Sequence, residues 1–130
     1  MAAPLPFKLK LQIMCGDEIA MGPGKAALLE AIAAHGSISG AGRALGMSYR
    51  RAWLLVDAMN RCWESPLVAT VQGNAKAGAQ LTALGQAILT QYRAAEGAAE
   101  AATATSLTGI THHLRPAPIP PRRETRPNDN

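Results

Sequence analysis

Residues 36–63 read GSISGAGRALGMSYRRAWLLVDAMNRCW, and their pattern is that of two helices joined by one tight turn. Ser37 can cap the first helix, because its hydroxyl accepts from backbone N–H groups left open at a helix start. Ile38, Ala41 and Leu45 then recur at helical spacing. Gly46 stops that helix, since glycine enters the left-handed region without a Cβ penalty. Met47 follows as an apolar plug, and Ser48 can cap a longer second helix. On that helix Ala52, Leu55, Val56, Met59 and Trp63 form one apolar stripe. Small Gly42 before the turn and Ala52 after it allow two helices to cross closely, the packing pattern of a helix-turn-helix. An ordinary helical hairpin would show the same glycine and the same caps.

Charge favours DNA over that alternative. No acidic residue lies between Glu30 and Asp57, whereas Arg43, Arg50 and Arg51 all do. Arg50 and Arg51 fall in the first turn of the second helix, beside Ser48 and Tyr49. Cations there oppose the helix dipole, so helix stability does not place them. An anionic groove would, because recognition helices present their N-terminal residues to base edges.

Working outward, Phe7 to Ile13 alternate apolar and polar residues, which predicts a half-buried strand able to pair with a later hairpin. Gly22-Pro23-Gly24 breaks the chain, and Lys25 to His35 reads as a helix that Gly36 ends. Beyond the two-helix unit, Ser65-Pro66 closes the long helix and Leu67 to Gln72 reads as a strand. A small-residue tip from Gly73 to Ala79 follows, and Gln80-Leu81 returns as a short strand. Placed after a helix-turn-helix, this hairpin is a candidate wing, with Asn74 and Lys76 as phosphate contacts; a plain loop is the alternative. Thr82 can cap a last helix over residues 83–102, where Leu84, Ile88, Gln91, Tyr92 and Ala95 repeat at helical spacing. Its alanine-rich second half has little of its own domain to pack on, which predicts pairing with a second copy. Residues 103–130 read as a disordered, extended Pro/Arg-rich tail.

The 130 residues suffice for one domain, residues 1–102, with a modest core, and the formal net charge of +4 is compatible with nucleic acid. Cys15 and Cys62 fit reduced thiols, and no signal-peptide core or membrane span is evident, so the expected location is the cytoplasm. There is no phosphate-binding glycine loop, no metal-spaced Cys/His set and no nucleophile–base pair. The expectation is a protein that is not an enzyme, with no cofactor and no metal.

The order strand, helix, helix-turn-helix, wing, long helix resembles the N-terminal domain of ModE-type molybdate-responsive transcription regulators. More distantly it is similar to the DNA-binding domain of LysR-type regulators. The residues that carry this are HGSISGAGRALGMSYRRAWLLVDAMN (35–60) and QLTALGQAILTQY (80–92), above all Ser48 to Trp53 and the Leu-Thr-x-x-Gly run at Leu81 to Gly85. The resemblance covers roughly Phe7 to Ala102. It implies a mainly α winged helix-turn-helix with a small hairpin and a long C-terminal dimerisation helix. It further implies a homodimer reading a palindromic operator in double-stranded DNA, in connection with molybdenum metabolism. Ser37, Arg43, Ser48, Tyr49, Arg50, Arg51, Trp53, Asn74 and Lys76 are then the DNA-contact candidates. Leu84, Ile88, Gln91, Tyr92 and Ala95 are the dimerisation candidates. Regulators of the full type carry C-terminal oxyanion-binding domains, and the tail here is not of that kind, so molybdate binding by this chain is not expected. The rival expectation is a protein-interaction module that dimerises with a full-length regulator and modulates it.

Overall fold

The computed structural model describes residues 5–71 and 78–123. Along the chain run β1 (Ile13–Cys15), β2 (Glu18–Met21), α1 (Pro23–His35), α2 (Ile38–Ala44), α3 (Tyr49–Cys62), β3 (Val68–Val71), β4 (Gly78–Leu81) and α4 (Ala83–Thr111). The architecture is mainly helical with two antiparallel two-stranded sheets, β1–β2 and β3–β4. It is compatible with the expected winged-helix arrangement.

The central turn forms for the reasons visible in its residues. Ser37 Oγ accepts from the Gly40 N–H at 2.9 Å, and Ser48 Oγ accepts from the Arg51 N–H at 3.1 Å. Gly46 takes φ 70°, and the Met47 N–H returns to the Gly42 carbonyl at 2.9 Å. A Cβ on Gly42 would lie 3.2 Å from the Met47 carbonyl and 3.4 Å from the Ala52 Cβ, so a small residue lets α2 and α3 approach. Ala41, Ala52, Val56 and Met59 enter the buried core, where they join Leu28, Leu29 and Ile32 of α1. Burial of such side chains is the main stabilising term, about 1.5–3 kcal/mol for each large one.

Two polar side chains tie the β3–β4 hairpin to the helices. Asn60 on α3 accepts from the N–H groups of Leu67 and Val68 at 2.9 and 3.1 Å and donates to the Val68 carbonyl at 3.1 Å. Thr82 caps α4 by accepting from the Gly85 N–H at 2.9 Å, while its hydroxyl donates to the Pro66 carbonyl at 2.7 Å. A Cβ on Gly85 would collide with the Leu67 carbonyl, so only glycine lets α4 start this close to β3. The Leu-Thr-x-x-Gly run is therefore a packing device.

Three expectations need correction. First, residues 7–12 form no strand; β1 covers only Ile13–Cys15, and its partner is β2 rather than the later hairpin. Phe7 and Leu11 are half-buried instead, and the Leu11 carbonyl accepts from the Tyr92 hydroxyl at 2.7 Å. A helix thus satisfies the backbone that a neighbouring strand was expected to satisfy. The place beside β4 goes to Gly36, whose carbonyl accepts from the Ala79 N–H at 2.9 Å. Second, the β1–β2 hairpin turns at Gly16, φ 59°, and was not foreseen. Third, α4 runs to Thr111, past the expected end at Ala102. Thr103 does not interrupt it, because its hydroxyl donates to the Ala99 carbonyl at 2.7 Å and so stays within the helix.

Candidate nucleic-acid interface

Helical spacing on α3 assigns each exposed side chain a direction. Ala52, Val56 and Met59 face the core, so Arg50 and Leu54 stand outermost. Tyr49 and Trp53 occupy the flank towards the β3–β4 hairpin, and Arg51 the opposite flank. Tyr49 is 59% exposed and Trp53 46%, which places Trp53 outside the core. Arg43 projects from α2 into solvent as well.

The arginines divide into two kinds. Arg61 is held by Glu18 and Asp57, each at 3.0 Å, and Arg93 by Glu30 at 2.6 Å and Glu96 at 2.7 Å. Their carboxylate partners raise both guanidinium pKa values further, and Arg93 in turn holds Glu30 below its ordinary value. These two arginines clamp α3 to β2 and α4 to α1. Arg43, Arg50 and Arg51 form no salt bridge among the described residues. Their charges are available to an external anion. Helical spacing makes Asp57 and Glu96 neighbours of these arginines, but Glu18 and Glu30 come from distant positions that the sequence does not bring together.

Two concavities flank the outer edge of α3. One, of about 240 Å³, lies beside Ser48, Arg50, Arg51 and Leu54. The other, of about 260 Å³, lies between α2, α3 and the hairpin and is lined by Ser37, Ser39, Tyr49, Trp53, Thr70 and Val71, among others. Among the described residues that line it none is charged. Ser37 and Ser48 spend an acceptor lone pair on their helix caps, which leaves each hydroxyl proton free to donate. Ser39, Leu54, Thr70 and Val71 were missed as members of this surface. The α2 serine lay in plain view, but Thr70 and Val71 join only through the hairpin's placement by Asn60. Asn74 and Lys76, the expected phosphate contacts at the hairpin tip, lie outside the described residues.

The expected dimerisation set is divided. Tyr92 is buried inside the protomer, and Leu84 and Ile88 pack against the same core. Only Gln91 and Ala95 face solvent. Beyond Arg93 most positions of α4 are exposed, including Ala94, Ala98, Ala101 and Ala102. Among the described residues there is no group of three or more His, Cys, Asp or Glu side chains placed to hold a metal ion. No helix is long and apolar enough to cross a membrane, again among the described residues.

No family model matches the chain. It is 41% identical over 96 residues to the molybdenum-pterin-binding protein MopA of Rhodobacter capsulatus, covering 73% of this chain and 36% of that protein. Over 70 residues it is 44% identical to the molybdenum transport protein ModE of Azotobacter vinelandii, covering 53% and 26%. Over 93 residues it is 36% identical to the DNA-binding transcriptional dual regulator ModE of Escherichia coli K12, covering 71% and 34%. The chain thus spans about a third of the length of the curated relatives it matches most fully. None of these three names is that of an enzyme. The chain is thus similar, over 70 to 96 residues, to proteins named for molybdenum-pterin binding, molybdenum transport and DNA-binding transcriptional regulation.

Proposed function

We propose that this chain is a sequence-specific, DNA-binding transcription regulator that acts as a homodimer on a palindromic operator. The observation that carries the reading is the outer edge of α3. Two arginines that form no salt bridge among the described residues stand in its first turn, where they oppose the helix dipole, and no carboxylate lies within the stretch that bears them. In this reading α2 and α3 are the helix-turn-helix, α3 enters the major groove, and the β3–β4 hairpin is the wing beside it. Ser37, Ser48 and Arg43, with Asn74 and Lys76 at the wing tip, contact phosphates and set the register, while Arg50 and Arg51 reach base edges. The exposed outer half of α4 pairs with a second copy, which places two recognition helices on two half-sites. The names of two relatives, a molybdenum-pterin-binding protein and a molybdenum transport protein, support a link of the regulated genes to molybdenum metabolism.

A salt titration of the purified chain against genomic fragments, with sequencing of what stays bound, tests this directly. The expected result is a recovered palindrome whose log affinity falls steeply and linearly with log salt, in proportion to the phosphates neutralised. Weak binding without sequence preference overturns the reading. If the chain then co-purifies as a mixed dimer with a longer regulator, it is an interaction module instead. Equilibrium dialysis with molybdate, for which no binding by this chain is expected, reads the oxyanion separately.

A further inference from the structure

The chain has two tryptophans, and the fold covers them unequally. Trp63 packs against the core, and its indole N–H donates to the Ala20 carbonyl at 3.3 Å, which anchors the end of α3 to β2. Trp53 is 46% exposed, and its indole N–H has no partner among the described residues. One turn before it, Tyr49 is 59% exposed, and across the cleft Val71 of β3 is 51% exposed. These three make a contiguous apolar surface on the flank of α3, next to arginines that face outward.

Duplex DNA offers such a surface few partners. Among the described residues that line the cleft none is charged, so phosphate finds no cation among them. Of the groups that base edges show in the major groove, the thymine 5-methyl is the largest apolar one. From this, and resting on the DNA-binding reading above, we infer that the Tyr49–Trp53 face reads thymine through its 5-methyl group and that Trp53 sets the preference. The arginines and the aromatic pair then divide the work. Arg50 on the outer edge and Arg51 on the flank away from the hairpin recognise guanine by hydrogen bonds, whereas the wing-side flank recognises thymine by excluding water from its methyl.

The test replaces thymine by deoxyuridine, which removes the methyl and leaves every hydrogen-bonding group in place. The full chain first selects its preferred duplex from a random pool. That duplex is then compared with its deoxyuridine form by fluorescence anisotropy. The expected result is a loss of about fourfold in affinity for each contacted thymine, the factor that burial of one methyl group carries. Substitution one thymine at a time then locates the contact. Trp53→Ala removes the discrimination, so that it binds both duplexes equally, whereas Arg50→Ala binds both more weakly and keeps their ratio. Equal binding of the two duplexes by the parent protein overturns the inference while leaving the regulator reading intact. Discrimination that survives in Trp53→Ala also overturns it. A chain that selects no duplex overturns the inference together with the reading on which it rests.

Discussion

Arg50, Arg51, Tyr92 and Trp53 show how much a residue's meaning depends on what stands beside it. If Arg50 or Arg51 makes a bidentate contact to guanine, replacing it by alanine costs about 1–3 kcal/mol, roughly a 5- to 150-fold fall in affinity. Equilibrium titration on the selected operator measures this, and unchanged affinity in both variants removes them from the interface. Tyr92 supports a prediction about pH. Burial, helped by the charge of Glu96, pushes its hydroxyl up to about 12. The neutral phenol is thus favoured in the fold, so its contribution is complete below the ordinary tyrosine value of 10 and is lost as pH rises towards 12. Thermal melts across that alkaline range should show a fall in stability that Tyr92→Phe flattens. The phenylalanine variant also starts lower, because it forfeits the hydrogen bond to the Leu11 carbonyl.

At the scale of elements, the fold rests on a few close approaches. Asn60 spans α3 and β3 with three hydrogen bonds, and Gly85 lets α4 begin against the Leu67 carbonyl. Gly85→Ala is expected to destabilise the chain by about 1–3 kcal/mol, because backbone rather than a flexible side chain must give way. Urea unfolding followed by circular dichroism checks this; a midpoint equal to that of the parent rules the contact out as a constraint. The Arg93 clamp to Glu30 and Glu96 is half-exposed and contributes less than its short distances suggest. Its use is geometric, since it sets how α4 leaves the domain.

For the whole molecule the open question is how α4 is covered. The helix is 29 residues long and is held to its own core mainly by its first half, through Leu89, Tyr92 and Arg93. If the remainder pairs with a second copy, the double substitution Ala95→Glu with Ala98→Glu brings like charges together at the seam. Sedimentation should then report a monomer with unchanged helix content, and operator affinity should fall because only one half-site is engaged at a time. A dimer that survives the substitution places the pairing face elsewhere.

Much of this was legible in the residues themselves. Both serine caps, the Gly46 turn, the inward stripe of α3 and the acid-free stretch around Arg50 and Arg51 follow from contacts three or four residues apart. Sequence spacing reports such contacts directly. The tertiary structure alone decided the rest. Alternation from Phe7 to Ile13 predicted a strand, but residues 7–12 form none, and the Leu11 carbonyl is met by Tyr92, 81 positions away. Tyr92 is buried in the core, Trp53 stays about half exposed, and Arg61 and Arg93 pair with carboxylates while Arg43, Arg50 and Arg51 form no salt bridge among the described residues. Each outcome turns on which surface packs against which, and helical or strand periodicity marks a face as apolar without naming the element that will cover it.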